Sequence, residues 1–148
     1  MSSETVENYL ETIYLISKRK GYARVSDIST ALKVKAPTVT EMVQKLADRG
    51  LVMYERYKRD IRLTSKGEEK AKRVIERHRI LKAFLQVLGV SEEVAEEDAC
   101  RIEHHIHPET LERLSKFIEF VQKAPKSPKW LEHFRYFCEK GEHPPCEE

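Results

Sequence analysis

Three residues that commonly bind metals lie within one helical turn near residue 100. Cys100, Glu103 and His104 are three and four positions apart, so a helix would present a thiolate, a carboxylate and an imidazole on one face. Together these groups coordinate divalent transition metals. Taken singly, a cysteine is more often a small buried hydrophobe and a glutamate is usually solvated. The combination predicts a site for one divalent metal ion.

Two other segments could complete the coordination shell. His78 occupies an apolar position of a long predicted helix, where a lone histidine is more often a hydrogen-bonded core residue. Asn8 and Glu11 share one face of the first predicted helix, because three positions separate them. With these residues the site would join both halves of the chain. Metal binding should weaken at low pH and when a cysteine ligand is oxidised, because ligands must first lose their protons.

A second group of possible ligands lies near the C-terminus. Cys138, His143 and Cys146 are spaced like zinc or iron ligands, and His133 could supply a fourth group. The alternative is a capped last helix with ordinary thiols. The chain has three cysteines, an odd number and a small one for its length, so a network of disulfides is not expected. Free, buried or metal-bound thiols are expected instead.

The sequence pattern of the N-terminal half is typical of a DNA-binding domain. Periodicity predicts helices from about Glu4 to Lys18, from Val25 to Leu32 and from Ala36 to Arg49. The pattern then changes to that of a β-hairpin between Leu51 and Leu63. A packing helix, two short helices around a tight turn and a hairpin are typical of a winged helix-turn-helix domain.

The second of the two short helices would enter the major groove of DNA. Polar residues at its start could approach base edges, and basic residues of the turn and hairpin could neutralise phosphates. The predicted DNA-contacting residues are Lys35, Pro37, Thr38, Thr40, Glu41, Gln44, Lys45, Arg56, Lys58 and Arg59. Residues 1–75 carry 16 Lys and Arg against 10 Asp and Glu, which suits a polyanion. The alternative is a small α+β fold whose basic residues only maintain solubility.

Four more helices are predicted in the remainder of the chain. They run from Thr64 and Ser65 to Leu88, from Ser91 to about Ile106, from Pro108 onward, and from Ser127 and Pro128 to Gly141. Apolar positions of the fifth and sixth helices would form a homodimer interface: Ile102, Ile106, Leu111, Leu114 and Ile118.

The predicted fold class is therefore mostly α with a small β-hairpin wing. We expect a winged helix-turn-helix DNA-binding domain at residues 1–73 and a helical metal-binding and dimerisation domain at 74–125. Residues 126–148 would form a C-terminal helix and a tail that contains Cys and His.

Length and composition exclude several classes of protein. With 148 residues, 35% of them charged, the chain can form one core and an accessory unit but not a large multidomain enzyme. No stretch approaches the roughly 18 apolar residues of a membrane span, and no signal pattern is present. We expect a soluble cytoplasmic protein with no membrane partner.

Two rival functions follow from the same residues. One is a winged-helix sensor of a small organic ligand, whose activity chelators would not affect. The other is a small metallohydrolase with Glu103 as its base, but the His-Glu-x-x-His pattern, a Gly-rich phosphate loop and a Gly-x-Ser-x-Gly elbow are all missing. We therefore do not expect an enzyme.

Six blocks of the sequence, in one order, resemble the metal-dependent repressors typified by the diphtheria toxin repressor, the iron-dependent regulators and the manganese transport regulators. They are residues 7–14, 21–28, 37–46 without residue 41, 63–67, 77–79 and 98–105. The resemblance implies a homodimer that binds divalent metal and then a palindromic operator near metal-uptake genes. It also implies the metal ligands Asn8, Glu11, His78, Cys100, Glu103 and His104.

The ligand set resembles both branches of that family. Glu11 is similar to the manganese branch, whereas Cys100 is similar to the iron branch and Asn8 matches neither. Glu96 lies where the iron branch has a histidine of an additional metal site, but Lys82 replaces the glutamate of that site. A thiolate favours Fe(II) over Mn(II), so Fe(II) is the expected metal and Mn(II) the alternative. The expected architecture has two domains without an SH3-like third domain, which resembles the manganese branch.

Overall fold

The structure is a computed structural model that describes residues 2–55 and 58–145. Its elements are α1 (Ser3–Lys20), α2 (Val25–Leu32), α3 (Ala36–Asp48), β1 (Val52–Met53), β2 (Arg62–Leu63), α4 (Ser65–Val87), α5 (Glu92–Ile102), α6 (Pro108–Lys123) and α7 (Lys129–Lys140). This mostly helical fold with one hairpin confirms the predicted fold class.

The chain divides into two compact units, Met1–Arg77 and His78–Glu148. The division lies within α4, a few residues beyond the domain boundary expected at residue 73, and the C-terminal helix belongs to the second unit. The assignment of functions to residues 1–73, 74–125 and 126–148 stays a prediction, because compactness alone does not identify what a segment does.

Helix α1 supplies one wall of the first unit's core. The Oγ of Ser2 accepts a hydrogen bond from the Thr5 N–H at 3.1 Å and so caps the helix start. Gly21, with φ of 87°, ends the helix in a left-handed conformation that glycine adopts without strain. The buried face contains the residues that the spacing predicts: Val6, Tyr9, Leu10, Ile13 and Ile16.

Helices α2 and α3 form the helix-turn-helix pair. Asp27 accepts a hydrogen bond from the Arg24 N–H at 3.0 Å and forms an ion pair with Lys20 at 2.9 Å. Both contacts stabilise the start of α2. Lys33, with φ of 56°, ends α2 and begins the turn. Pro37 lies in the first turn of α3, where a missing N–H costs no hydrogen bond.

The wing is a short antiparallel hairpin in which Val52 pairs with Leu63 and Met53 with Arg62. Ala23 forms an additional bridge to Ile61. Each strand has two residues, so the ladder is shorter than the apolar pattern suggests.

The junction between the wing and α4 is closely packed. The Thr64 hydroxyl donates to the Gly50 carbonyl at 2.7 Å and accepts from the Gly67 N–H at 3.1 Å, so Thr64 caps the start of α4 where the sequence predicts that this helix begins. A Cβ on Gly67 would lie 1.9 Å from the Leu51 carbonyl oxygen, so only glycine fits at this position.

Helix α5 begins next to Ser91, within one residue of the predicted start, and Ser91 caps it, but the helix ends at Ile102 rather than near Ile106. The His105 N–H bonds to the Ile102 carbonyl at 2.9 Å, and residues 103–105 form a turn. The physical reason is Pro108, the first residue of α6, because the residue before a proline disfavours helix and His107 is extended. Prediction of a helix as far as residue 106 was therefore wrong.

One residue of the predicted dimer interface, Ile118, is buried within a single copy of the chain. Ile118 is 3% exposed, so it is not available to a partner, whereas Ile102 is 40% exposed. Phe117 packs against Phe84 and Trp130, each at a centroid distance of 5.8 Å. Across the part of the chain that the structure describes, no helix combines the length and apolar character required to cross a membrane.

Candidate metal centre and DNA-binding surface

Three elements bring four predicted metal ligands together in the second unit. His78 comes from α4, Cys100 from the last turn of α5, and Glu103 and His104 from the turn that follows. The early end of α5 means that Glu103 and His104 belong to a turn and not to a longer helix. The side chains of Glu103 and His104 are 1% exposed, and that of His78 is 15% exposed.

The ring of His78 lies between two carboxylates. Its Nδ1 is 2.8 Å from Glu103 Oε2 and 3.7 Å from Cys100 Sγ. Its Nε2 is 2.9 Å from Glu96 Oε1. Burial lowers the pKa of His78, but the two neighbouring carboxylates outweigh burial, and the pKa is raised above its ordinary value.

These atoms fit a divalent transition metal. One donor atom each from His78, Glu96 and Cys100 lie within 4.8 Å of one another, the one such group of three among residues 2–55 and 58–145. The buried Glu103 also has its Oε1 3.3 Å from His104 Nε2. The buried carboxylate of Glu103 therefore lies among nitrogen and sulfur atoms that can bind a metal together with it. Nitrogen, sulfur and oxygen donors together suit a borderline metal ion.

Lys82 holds the outer side of Glu96. Its Nζ lies 3.0 Å from Glu96 Oε2 and 3.5 Å from Glu92 Oε1. The hydrogen bond from Lys82 lowers the pKa of the Glu96 carboxyl, and the same hydrogen bond raises the pKa of Lys82. The sequence identified both residues without indicating that they form a pair. Their positions one helical turn from His78 and Cys100 were the available signal.

The other two predicted ligands, Asn8 and Glu11, lie on α1 in the first unit, and both are half-buried. The sequence missed the neighbouring pair of Glu7 and Arg77, whose side chains meet at 3.0 Å and are 9% and 21% exposed. A glutamate on the buried face of an amphipathic helix was the signal. The role of Asn8 and Glu11 as ligands stays a prediction.

The tail residues are only partly within the described structure. Cys138 is exposed on α7, and Gly141, with φ of 73°, ends that helix before His143. The rings of His133 and His143 lie 6.1 Å apart. Cys146 lies outside the described residues, so the predicted cluster of Cys138, His143 and Cys146 stays a prediction.

Helix α3 separates its buried and exposed sides as predicted. Val39, Val43 and Leu46 are completely buried against the core of the first unit. The predicted DNA-contacting residues that the structure describes are all exposed: Lys35, Pro37, Thr38, Thr40, Glu41, Gln44, Lys45, Lys58 and Arg59. Arg56, the remaining member, lies outside the described residues.

Local contacts already engage some of these side chains. Glu41 and Lys45 form an ion pair at 3.1 Å, and Lys58 pairs with Glu55 at 3.2 Å. The Thr40 hydroxyl donates to the Ala36 carbonyl at 3.1 Å. Exposed pairs of this kind contribute little stability, so phosphates or bases can replace them at small cost.

Two family models match almost the whole chain. The model described as iron dependent repressor, N-terminal DNA binding domain, matches residues 1–59. The model described as iron dependent repressor, metal binding and dimerisation domain, matches residues 64–132. The boundary between the two matches falls at the wing, just before α4.

Similar proteins include two regulators from bacilli. The HTH-type transcriptional regulator MntR of Lysinibacillus sphaericus is 42% identical over 132 residues, which cover 89% of this chain and 94% of the relative. The HTH-type transcriptional regulator MntR of Bacillus subtilis is 39% identical over 143 residues, which cover 97% of this chain and 98% of the relative.

Solved structures show the same fold. T. acidophilum IdeR matches with a TM-score of 0.69 at 28% identity, over 80% of this chain and 55% of that protein. The manganese regulator SloR matches with a TM-score of 0.67 at 33% identity, over 78% of this chain and 54% of that protein. The chain thus spans about half the length of these two solved proteins. With both family models and full-length relatives in agreement, the chain belongs to the iron-dependent repressor family, whose members are metal-dependent, DNA-binding transcriptional regulators.

Proposed function

We propose that this chain is a homodimeric, Mn(II)-responsive repressor that binds a palindromic operator and controls genes of metal homeostasis. The observation that carries the proposal is the donor cluster around His78, whose Nδ1 is 2.8 Å from Glu103 and 3.7 Å from Cys100. In the same chain, an exposed recognition helix and a basic wing are available to DNA.

The choice of Mn(II) rests on the relatives and on the oxygen donors. The full-length relatives are regulators named MntR, and one solved relative is a manganese regulator. Glu11 and Glu103 supply the carboxylate oxygens that Mn(II) prefers. Cys100 is the reason to expect Fe(II), because a thiolate binds Fe(II) more strongly than Mn(II), and the comparisons do not support that expectation.

The proposed role of the ion is conformational. The ligands Asn8, Glu11, His78, Cys100, Glu103 and His104 hold the ion, which stabilises the arrangement of the dimer that is competent to bind DNA. Two recognition helices must lie roughly 34 Å apart to enter successive major grooves. An ion shifts that equilibrium only if it binds the competent arrangement more tightly.

Helix α3 and the wing have different proposed roles on DNA. Thr38, Thr40 and Gln44 approach base edges, whereas Lys58 and Arg59 neutralise phosphates without reading sequence. Lys58→Ala with Arg59→Ala should therefore weaken binding to every sequence and reduce the salt dependence of the affinity, measured by fluorescence anisotropy from low to high salt. A changed sequence preference with an unchanged salt slope would contradict this assignment.

The proposal is tested by an anaerobic titration of metal-stripped protein with Mn(II) and, separately, with Fe(II). Operator binding is followed by fluorescence anisotropy on a palindromic probe selected from random DNA. Tight binding at a lower concentration of Mn(II) than of Fe(II) is expected, and the reverse order would identify Fe(II) as the metal. Equal affinity with metal and with chelator would overturn the proposal and favour a sensor of an organic ligand.

The tail cluster requires a separate measurement. If Cys138, His143 and Cys146 bind an ion, the variant with Ser at both cysteine positions and Ala at residue 143 should bind one fewer metal ion per subunit than the unmodified chain. Elemental analysis after dialysis against Zn(II) measures this number. An unchanged stoichiometry would remove the tail from the list of metal sites.

A further inference from the structure

The two ring nitrogens of His78 face different groups. Nδ1 faces the buried Glu103 at 2.8 Å and the Cys100 thiol at 3.7 Å. Nε2 faces the half-exposed Glu96 at 2.9 Å. A neutral imidazole carries a proton on one nitrogen and a lone pair on the other, so only one of these sides can coordinate an ion.

Glu96 is itself anchored on its other side. Its Oε1 is next to the imidazole and its Oε2 is 3.0 Å from the ammonium group of Lys82. Lys82 also lies 3.5 Å from Glu92, one helical turn earlier on α5. Imidazole, carboxylate and ammonium therefore form a continuous chain that leads away from Cys100 and Glu103.

We propose that Glu96 and Lys82 are positioning residues of the metal site and not ligands. Glu96 accepts a hydrogen bond from the Nε2–H of His78, which leaves the Nδ1 lone pair directed towards Cys100 and Glu103, and Lys82 holds Glu96 in place. This inference rests on the proposed metal site. Carboxylates that orient a ligating histidine in this way fix its tautomer and increase its basicity.

Charge decides between this role and a direct one for Glu96. The Glu96 and Cys100 donor atoms are close enough to share an ion with His78, so distance alone allows coordination. An ion on the Nε2 side, however, would lie close to the ammonium group that is 3.0 Å from Glu96. Two cations at such a separation repel each other strongly in a partly buried site. The Nδ1 side has the two acidic donors Cys100 and Glu103 without that ammonium.

The experiment is a Co(II) titration of the metal-stripped full-length chain, followed by absorption spectroscopy. Co(II) is a spectroscopic probe whose visible bands report coordination number and whose near-ultraviolet band reports bonding to a cysteine thiolate. The variants are Glu96→Gln, Lys82→Met and Lys82→Arg. Glu97→Gln is the matched control, because it removes one exposed negative charge from the same helix.

We expect Glu96→Gln and Lys82→Met each to weaken Co(II) binding about tenfold, as for other partners of a ligating histidine, with the spectrum of the bound ion unchanged. Lys82→Arg should retain the Co(II) affinity of the unmodified chain. The Co(II) affinity of Glu97→Gln should stay within about twofold of that of the unmodified chain. The direction for Lys82→Met is informative, because removal of a positive charge by itself would strengthen binding of a cation.

Several outcomes would overturn the inference. A changed visible spectrum in Glu96→Gln would make Glu96 a ligand. Tighter binding, or a second ion per subunit, in Lys82→Met would make Lys82 a competitor of the metal. Circular dichroism of each variant checks the fold. If the unmodified chain binds no Co(II), the proposed function itself fails, whereas unaltered affinity in Glu96→Gln and Lys82→Met refutes the positioning role alone.

Discussion

Cys100 is the residue whose chemistry most affects which ions the site can hold. It is the one sulfur donor of the described cluster, 3.7 Å from His78 Nδ1. Thiolates bind Co(II), Fe(II) and Zn(II) much better than Mn(II), whereas the carboxylate of Glu103 discriminates far less against Mn(II). Selectivity at this site is therefore a balance between one sulfur atom and its oxygen neighbours.

Cys100→Ser should change that balance. We expect the affinity for Co(II) to fall by more than the roughly 10- to 100-fold that loss of an outer partner causes, and the affinity for Mn(II) to change far less. Competition with a fluorescent chelator measures both dissociation constants. Glu97→Gln, at an exposed position of the same helix that belongs to no proposed metal site, is the control and should alter neither. Equal losses for the two ions would show that the sulfur does not determine selectivity.

At the residue scale, the sequence identified which side chains meet but not how they are oriented. His78, Cys100 and Glu103 follow from residue type and helical spacing, and they do lie together. The direction of each ring nitrogen of His78 depends on packing between α4 and α5, which spacing along one helix does not determine. For the same reason the contact between Glu96 and Lys82 became visible only in the structure.

Asp27 illustrates how one carboxylate stabilises the helix-turn-helix pair. Its Oδ2 accepts from the Arg24 N–H and its Oδ1 pairs with Lys20. The hydrogen bond from Lys20 is the main cause that lowers the pKa of Asp27 in the folded state. A lowered pKa means that the carboxylate stabilises the fold above the pKa of the unfolded chain. That contribution is lost as the pH falls through the folded pKa.

Asp27→Ala should therefore destabilise the protein in a pH-dependent manner. We expect a loss of about 1 kcal/mol at pH 7, the usual cost of removing a helix cap, and a progressively smaller loss as the pH falls below about 4. Urea denaturation at several pH values measures the free energy of unfolding. Asp27→Asn retains an acceptor for the Arg24 N–H and separates the cap from the charge pair. A cost that stays constant down to pH 3 would contradict the mechanism.

At the scale of elements, the wing is joined to α4 through a contact that excludes side chains. Gly67 lies in the first turn of α4, and a Cβ there would be 1.9 Å from the Leu51 carbonyl oxygen and 2.9 Å from its carbon. Both atoms belong to the backbone, so a flexible side chain cannot move away to make room. The Thr64 hydroxyl, which bonds to Gly50 and Gly67, fixes the same junction.

Gly67→Ala should therefore separate the wing from α4. The expected loss of stability is about 1–3 kcal/mol or more, as for overpacking elsewhere, and the wing should lose its fixed orientation. Thermal denaturation and operator binding measure the two effects. Lys66→Ala, at the neighbouring exposed position, is the control and should have little effect on stability. Normal stability of Gly67→Ala would show that the junction can relax.

The helices were predictable because their signals are local. The bounds of α1, α2 and α7 agree with the expected ones to within two residues, since caps and 3.6-residue periodicity lie in the helix itself. The end of α5 was not predictable in this way, because Ile106 continues the apolar pattern beyond Ile102. Pro108 disfavours a helical conformation of His107, so the chain leaves the helix before residue 106 although the apolar pattern continues.

At the scale of the whole molecule, a palindromic operator requires a symmetric dimer. The second unit exposes several large apolar side chains, among them Ile102 at 40% and Phe120 at 62%. Its family model includes dimerisation in its description. Ile102 belongs to the predicted dimer face, whereas the exposed aromatic residues of α6 and α7 do not.

Ile102→Lys should weaken dimerisation if the predicted face is correct. Each subunit would lose about 1.5–3 kcal/mol of apolar burial, so the dimer dissociation constant should rise at least about tenfold. Sedimentation equilibrium measures this constant. Leu15→Lys, at an equally apolar and 52% exposed position of the first unit, is the control. An unchanged constant would indicate that the interface lies elsewhere, with Phe120 and Trp130 as the next residues to test.

Metal binding and DNA binding must also be coupled in both directions if the ion selects the DNA-competent dimer. Reciprocity requires that the factor by which Mn(II) increases operator affinity equals the factor by which operator DNA increases Mn(II) affinity. A coupling of 1–3 kcal/mol, typical of such systems, corresponds to a factor of about 5–150. Anisotropy with and without Mn(II) gives the first factor, and Mn(II) titration with and without operator DNA gives the second. Scrambled DNA is the control, because it offers the same phosphates without the specific site. Equal factors that disappear in His104→Ala would establish the ion as an allosteric ligand, whereas a metal affinity that does not respond to the operator would exclude that role.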